Sequence, residues 1–223
     1  MKGKFIVIEG TDCSGKETQS KLLVEKLTNM GYKAVRLTFP KYDSPTGKIV
    51  GGPYLGKKEI CECWFPEGAV NLDPKVASLY YAADRKYNES EIEDYLNKGY
   101  FVICDRYVSS NMAHQGSKIT NDEERFHMYE WIDKLEFWLL SLPKPDKTIF
   151  LHVPYTYAVE LKKNRANLDQ HETNEEYLKN SEIAYIELSE MYNWKHINCI
   201  NDNKIRTIED INKEIIECLN EYL

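Results

Sequence analysis

The chain has 223 residues and a net charge of −7 at pH 7, from 29 basic and 36 acidic side chains. A length of this order suits one well-buried α/β core, so we expect a single domain spanning residues 1–223. Because the Lys and Arg residues are scattered rather than grouped, we expect neither a nucleic-acid partner nor a membrane-surface partner. The composition therefore favours a small-molecule substrate.

The cysteines have irregular spacings, at Cys13, Cys61, Cys63, Cys104, Cys199 and Cys218. The sequence shows no N-terminal apolar leader and no apolar run of about 18 residues. We therefore expect unpaired thiols in a cytoplasmic protein. Cys61 and Cys63 stand one residue apart, which is the wrong spacing for zinc, and no second Cys or His pair completes a tetrahedral site.

Short apolar segments alternate with longer segments of helical spacing, and this alternation predicts a parallel sheet covered by helices. The predicted strands are 5–8, 34–39, 101–104, 148–153 and 195–200. A first helix carries an apolar stripe and ends at Gly31, and we expect Met30 in that stripe to fill the core. Further helices are predicted at 74–96, 122–142, 156–164, 174–192 and 207–222, whereas 40–73 should be mostly irregular.

Residues 9–18 read EGTDCSGKET and lie between the first predicted strand and the first predicted helix. Gly10, Gly15 and Lys16 take the fixed positions of a phosphate-binding loop, G-x-x-x-x-G-K-[ST]. In such a loop the backbone N–H groups surround phosphates and the lysine reaches the β and γ oxygens. We expect ATP to contact the whole loop, namely Gly10, Thr11, Asp12, Cys13, Ser14, Gly15, Lys16, Glu17 and Thr18.

Polar residues follow the ends of three predicted strands, where ligands of open parallel sheets bind. Asp12 follows the first strand, the segment FPKY at 39–42 follows the second, and Asp105-Arg106-Tyr107 follows the third. A carboxylate near Mg²⁺ and an arginine that can clamp a phosphate are what phosphoryl transfer requires. The sequence therefore predicts a phosphotransferase site at this edge of the sheet.

With these motifs in place, the chain resembles the thymidylate kinases over most of its length. The resemblance is carried by the segments IEGTD (8–12), FP (39–40), AADR (82–85), DRY (105–107), SNMAHQG (110–116) and LPKPD (142–146), with Gly15 and Lys16. It implies an α/β P-loop kinase fold, a three-layer α/β/α sandwich with a five-stranded parallel sheet and a helical lid at about 162–175. It also implies transfer of the γ-phosphoryl of ATP to dTMP with Mg²⁺, by a cytoplasmic homodimer.

The resemblance further implies roles for single residues. Asp12 would lie near the 3′-hydroxyl and phosphate of dTMP, Arg106 would hold that phosphate, and Asp105 would lie near the metal. Arg85 would donate to O4 of thymine, and Tyr81 would stack on the base. The implied substrate-binding set is Asp12, Phe39, Pro40, Lys41, Tyr42, Tyr81, Arg85, Arg106, Ser110, His114 and Gln115.

The implied catalytic set is Lys16, Asp12, Arg106 and a lid arginine. Some family members carry a catalytic arginine in the phosphate loop and others carry it in the lid. Because the loop position here is Cys13, we expect the lid to supply it, with Arg165 as first candidate and Lys163 as second. The alternative is that these cations belong to an ordinary solvated helix end.

Three positions depart from the family pattern. Glu17 replaces the Ser or Thr that holds Mg²⁺, so we hypothesise that it becomes a metal ligand beside Asp105; the rival view is that it points away and that Thr18 or waters serve. Lys41 stands where many relatives place an arginine for the acceptor phosphate, which loosens the grip. His114 stands where relatives have Tyr or Phe near the sugar C2′, which puts rejection of a 2′-hydroxyl in doubt.

Two alternative functions remain open from the sequence. One is a kinase for another nucleoside monophosphate such as dUMP, and the other is a non-catalytic nucleotide-binding protein in which Glu17 marks lost turnover. The helix bearing Trp131, Phe137 and Trp138 has a broad apolar surface. That surface indicates either a thick core or a dimer face.

Overall fold

The structure is a computed structural model that describes residues 2–162 and 175–223. The strands are β1 (Lys4–Gly10), β2 (Ala34–Thr38), β3 (Phe101–Asp105), β4 (Lys147–His152), β5 (Lys195–Asn198), β6 (Ile200–Asn201) and β7 (Lys204–Ile205). The α-helices are α1 (Lys16–Asn29), α2 (Pro45–Ile49), α3 (Gly68–Asn71), α4 (Pro74–Tyr87), α5 (Glu89–Asn97), α6 (Val108–Gly116), α7 (Asp122–Asp133), α8 (Tyr155–Lys162), α9 (Glu175–Met191) and α10 (Ile208–Glu217). Turns of π-helix continue α2 over Val50–Tyr54 and α7 over Lys134–Leu139.

Five strands form one parallel sheet in the order β2-β3-β1-β4-β5, while β6 and β7 form a separate antiparallel pair. The register aligns Ile8 of β1 with Asp105 of β3, and Asp105 with Thr38 of β2. Parallel strands therefore end together at one edge, which brings the segments after β1, β2 and β3 side by side. In the sheet, β3 and β2 lie on one side of β1, and β4 and β5 lie on the other side. The loop after β1 therefore lies at the point where the strand order reverses, which is where ligands bind in such sheets.

The two faces of the sheet carry separate apolar cores because successive side chains of a strand point to opposite faces. Phe5 and Val7 pack with α6, α7 and α9 on one face. Ile6 and Ile8 pack with α1 and α10 on the other face. These layers confirm the predicted α/β/α sandwich with a five-stranded parallel sheet.

Two predicted segments differ from the observed elements. The helix predicted over 74–96 divides at Asn88, whose side-chain amide donates to the backbone oxygen and the carboxylate of Asp84 (2.8 and 3.1 Å). The segment 40–73 is less irregular than predicted, because Ser44 caps α2 by accepting from the backbone N–H of Gly47 at 3.0 Å. Side-chain hydrogen bonds to the backbone therefore decide both boundaries.

The apolar stripe of the first helix is only partly as predicted. Leu23 and Leu27 are fully buried against the sheet. The prediction that Met30 fills the core is wrong, since its side chain is 51% exposed. The helix ends at Asn29, and Met30 is the capping residue before Gly31 turns with a φ of 91°, so its side chain leaves the stripe.

Across residues 2–162 and 175–223, none of the helices combines the length and apolarity needed to cross a bilayer. All six cysteines lie within this part of the chain, and none of them forms a disulfide.

Two substitutions, one in α1 and one at its C-terminal cap, test which side chains contribute to stability by being buried. Leu27→Ala removes fully buried methyl groups and is expected to lower the free energy of unfolding by about 2–5 kcal/mol. Met30→Ala, the matched control at the cap of the same helix, is expected to change it by less than about 0.5 kcal/mol because the site is exposed. Urea unfolding followed by circular dichroism measures both, and equal losses would contradict the assignment of Met30 to the surface.

Candidate active site

The loop after β1 has the geometry of a phosphate-binding loop. Gly15 has a φ of 78° and is the residue before α1, and Cys13 also has a positive φ of 61°. A Cβ on Gly10 would lie 2.6 Å from the backbone oxygen of Leu151, so the close approach to β4 requires glycine there. Thr11 ties the loop to the end of β4, donating to the oxygen and accepting from the N–H of Val153.

Lys16 is buried inside this loop. Its ammonium donates to the backbone oxygens of Gly10 (3.0 Å) and Thr11 (2.8 Å). Burial lowers the pKa of Lys16 to about 8, and the positive charge of Arg106 acts in the same direction. A lysine in such a state is poised to gain stability from phosphate oxygens, which favour its charged form.

A cavity opens beside the loop at the same edge of the sheet. Its lining includes ten of the eleven predicted substrate-binding residues: Asp12, Phe39, Pro40, Tyr42, Tyr81, Arg85, Arg106, Ser110, His114 and Gln115. It also includes six residues outside the predicted substrate-binding set: Tyr54, Leu55, Tyr107, Asn111, Lys118 and Tyr177. The arrangement places a phosphate loop and a pocket with arginines next to each other.

Arg106 lies between the loop and the cavity. It follows β3 with a φ of 66°, and its Nη2 is 3.6 Å from Oδ1 of Asp12. Burial alone would lower the pKa of Arg106, but Tyr185 and nearby carboxylates raise it overall. The guanidinium therefore remains charged and available to an anion.

The carboxylate of Glu9 holds the backbone around Arg106. It accepts hydrogen bonds from the N–H groups of Tyr107 (2.9 Å) and Ser110 (3.0 Å), and from the Ser110 hydroxyl (2.6 Å). Burial raises the pKa of Glu9, against these bonds and the charges of Arg106 and Lys16, which lower it. Glu9 thus fixes the start of α6, where a negative group is favourable.

Arg85 forms a buried pair with Glu136 on the far side of the cavity. Its Nε and Nη2 both donate to the carboxylate, with Nη2 2.6 Å from Oε1. The same Oε1 accepts from Nδ2 of Asn111 at 2.9 Å, and the Asn111 Oδ1 is buried without a protein partner among the described residues. Two polar side chains that line the cavity, Arg85 and Asn111, are therefore held in place by one buried carboxylate.

Comparisons with known proteins agree with this geometry. A family model described as thymidylate kinase matches residues 8–215. A probable thymidylate kinase of Pyrococcus horikoshii is 32% identical over 222 residues, which cover 97% of this chain and 95% of that protein. A thymidylate kinase of Plasmodium falciparum is also 32% identical, over 97% of this chain and 89% of its own. A solved thymidylate kinase structure from Candida albicans has a TM-score of 0.74 at 27% identity, covering 99% of this chain and 92% of that one.

This chain belongs to the thymidylate kinase family. It is therefore a kinase, and the family resemblance inferred from its motifs is confirmed. The solved relative also confirms the P-loop α/β fold class. The roles of individual residues stay predictions, and the structure shows where each of them lies.

Two departures from the thymidylate kinase pattern have distinct surroundings. Lys41 is the predicted substrate-binding residue that does not line the cavity: its ammonium pairs with Glu91, and its backbone N–H donates to Asp84 at 2.8 Å. A carboxylate on α5 holds the ammonium, and the substrate-binding role of Lys41 stays a prediction. The side chain of Glu17 is 68% exposed and pairs with Lys21 one turn along α1 at 2.6 Å.

The predicted metal residue Asp105 has a cationic partner that the sequence did not suggest. Its Oδ2 accepts from Nη2 of Arg36 at 2.5 Å, and the Nε of Arg36 donates to Ser20 at 2.8 Å.

Tyr81 lines the cavity and also packs against Tyr54 edge to face, with ring centroids 5.6 Å apart. Its side chain therefore both packs in the fold and faces the site. The lid candidates Arg165 and Lys163 lie outside the described residues.

The residues missed by sequence reasoning share one property. Glu9 contacts partners 98 and 101 positions away, and Glu136 contacts Arg85 at a separation of 51. A local motif does not show such pairings. The available signal was an acidic residue inside an apolar segment, which is costly unless it is paired.

The lowered pKa of Lys16 predicts proton uptake when ATP binds. At pH 8 about half of the Lys16 groups in the ATP-free protein lack their proton, and phosphate oxygens restore it, so about half a proton is taken up per site. Uptake should be small near pH 7, where Lys16 is already charged, and should grow towards pH 9. Isothermal titration in buffers of different ionisation enthalpy measures it, with Lys16→Met as the control that loses this component. Heats that do not depend on the buffer at pH 8 would contradict it.

Proposed function

We propose that this chain transfers the γ-phosphoryl group of ATP to the 5′-phosphate of dTMP and forms dTDP. The observation that carries the proposal is the placement of Arg85 and Asn111, both bonded to Glu136, in the lining of a cavity that Arg106 and Asp12 of the phosphate loop also line. The match to thymidylate kinases over residues 8–215 supports the same reaction.

The cavity wall distinguishes pyrimidine bases by their hydrogen-bonding edge. Thymine presents an acceptor at O4 and a donor at N3–H side by side, which suits the Arg85 guanidinium and the Asn111 Oδ1. Cytosine presents an amine at position 4 and a lone pair at N3, so both contacts would be mismatched and two buried groups would be left unpaired. Uracil has the same edge as thymine and differs only by a methyl group, a difference that such pockets reject weakly, by about 10- to 200-fold.

The phosphate side of the cavity suits transfer between two anions. Lys16 would neutralise charge on the transferred group, and Arg106 would hold the acceptor phosphate with Asp12 beside it. Because the acceptor phosphate is already ionised at neutral pH, no protein nucleophile or strong general base is required. We keep Lys16, Asp12, Arg106 and Arg165 as the proposed catalytic set, within one domain over residues 1–223.

We propose Mg²⁺ as the ion that accompanies ATP. Within residues 2–162 and 175–223, no three His, Cys, Asp or Glu side chains are grouped so as to hold a metal by themselves. Mg²⁺ usually keeps several waters and uses one or two protein carboxylates together with the substrate phosphates. The carboxylate of Asp105, at the end of β3, would be such a ligand. When bound, the ion would neutralise phosphate charge. Glu17 remains the second candidate, and its pairing with Lys21 favours the rival view that it points away.

We further propose a homodimer in the cytoplasm. Trp131 and Phe137 pack partly against the core, as the thick-core alternative predicts, but Trp138 is 75% exposed. Leu79 of α4 and Leu139 are also exposed, and Lys75 of α4 lies over the ring of Trp131 on α7. An apolar surface over α4 and α7 is what a second copy would cover. The cysteines form no disulfide within residues 2–162 and 175–223, which favours a reducing compartment.

The substrate assignment is tested by turnover of dTMP, dUMP, UMP, dCMP and dGMP with ATP and Mg²⁺. The kcat/KM for dTMP should exceed that for dCMP by at least about 100-fold. Asn111→Leu should lower kcat/KM for dTMP by about 10-fold or more with little change in the KM for ATP, because an acceptor for N3–H is lost. Asn97→Leu, at an exposed position of α5, is the matched control.

Each other outcome of this assay has a defined meaning. If dCMP were turned over as well as dTMP, the Arg85 and Asn111 assignment would be abandoned. If no monophosphate reacted while ATP still bound, the non-catalytic alternative would replace the kinase. In the same assay a Mg²⁺ titration of Glu17→Gln should match wild type when Glu17 points away, and a shifted metal requirement would restore its ligand role.

The dimer proposal predicts a mass of two chains in sedimentation equilibrium at micromolar concentration. Leu79→Glu places a charge on the apolar surface and should shift the protein towards monomer, because an unpaired charge in an interface costs several kcal/mol. Glu93→Gln, at an exposed position of α5, should leave the mass unchanged. A wild-type protein that sediments as one chain would refute the homodimer.

A further inference from the structure

A chain of hydrogen bonds joins α9 to the arginine that faces the phosphate loop. The hydroxyl of Tyr177 lies 2.5 Å from Nδ1 of His114, and Nε2 of His114 lies 3.0 Å from Nη1 of Arg106. The rings of Tyr177 and His114 are stacked, with centroids 6.0 Å apart and an interplanar angle of 7°. All three side chains line the cavity.

The chemistry of arginine fixes which atoms donate and which accept in these two hydrogen bonds. A guanidinium has only donors, so Nε2 of His114 must accept from Arg106 and cannot carry a hydrogen. The hydrogen of the neutral imidazole therefore lies on Nδ1 and is donated to the oxygen of Tyr177. The opposite tautomer would place two N–H groups against each other at 3.0 Å.

We propose that Tyr177 is a positioning residue that accepts a hydrogen bond from Nδ1–H of His114, fixes the orientation of the imidazole and thereby holds Arg106 ready for the phosphate of the acceptor nucleotide. This inference rests on the proposed function, in which Arg106 clamps that phosphate. It also gives His114 a defined role, as the hydrogen-bond acceptor of Arg106.

The other contacts of the guanidinium show why this one matters. Nη1 of Arg106 lies 3.4 Å from the hydroxyls of Ser110 and Tyr185, and Nη2 lies 3.6 Å from Asp12. The contact with His114 is shorter than each of these. Burial raises the pKa of Tyr177 well above its usual value, which keeps its hydroxyl neutral. The stacked ring restricts His114 further, so removal of the hydroxyl alone is a specific perturbation.

The tautomer is measured by ¹⁵N NMR of ligand-free protein labelled at histidine, with His114→Gln assigning the signal. Wild type should show the Nδ1–H form of His114, and Tyr177→Phe should keep this tautomer, which Arg106 imposes, but should speed the exchange of the Nδ1 hydrogen with water, because its hydrogen-bond acceptor is removed. The Kd for dTMP should rise about tenfold in Tyr177→Phe, while the Kd for ATP should change by less than about twofold. Tyr129→Phe is the matched control, since it removes another buried tyrosine hydroxyl, bonded to Glu187 outside the cavity.

Two variants of His114 test the same contact without relying on the Tyr177 substitution. His114→Gln retains an acceptor for Arg106, whereas His114→Met has a similar length without a strong one, so Gln should bind dTMP more tightly than Met. An Nε2–H tautomer in wild type, an unchanged Kd for dTMP in Tyr177→Phe, or equal binding by the Gln and Met variants would each overturn the proposal. If wild type bound no dTMP, the proposed function would fail, and the rate of Nδ1–H exchange in Tyr177→Phe would still decide this inference.

Discussion

The arrangement of the site depends on one fully buried carboxylate, Glu9 of β1. Burying a charge is costly unless hydrogen bonds compensate it, and here the compensation comes from the start of α6 and the Ser110 hydroxyl. Between these donors and β3 lies Arg106, in a backbone conformation that non-glycine residues rarely adopt. The central strand thus secures both the phosphate loop that follows it and the arginine that follows its neighbour.

A second buried carboxylate organises the opposite wall. Glu136 receives two bonds from Arg85 and one from Asn111, so two polar groups from α4 and α6 share one anchor on the segment after α7. A buried pair of this kind contributes little net stability compared with apolar packing, but removal of either partner leaves an uncompensated charge. Its value lies in the fixed position it gives to two polar side chains that line the cavity.

Sequence reasoning reached the parts of this structure that are encoded locally. The phosphate loop needs only Gly10, Gly15, Lys16 and the flanking apolar pattern, and the register of parallel strands then brings the following segments to one edge. It did not reach Glu9 or Glu136, whose partners are distant in the chain and become neighbours only through the fold. It also placed Met30 in the core, because spacing alone does not show that α1 ends at Asn29, and it did not reveal that Glu91 pairs with Lys41.

The two cations beside the phosphate loop, Lys16 and Arg106, are stabilised when an anion lies between them. Lys16 is buried and Arg106 is half-buried, and the repulsion between their charges contributes to the lowered pKa of Lys16. A phosphate placed between them relieves this repulsion and the cost of burying Lys16 at the same time. Ligands that bind only the folded state add to its stability, so phosphate binding should strengthen the same edge of the sheet that Glu9 organises. The buried charge and backbone strain that lower stability at this edge of the sheet would therefore be offset by the binding of anionic groups there.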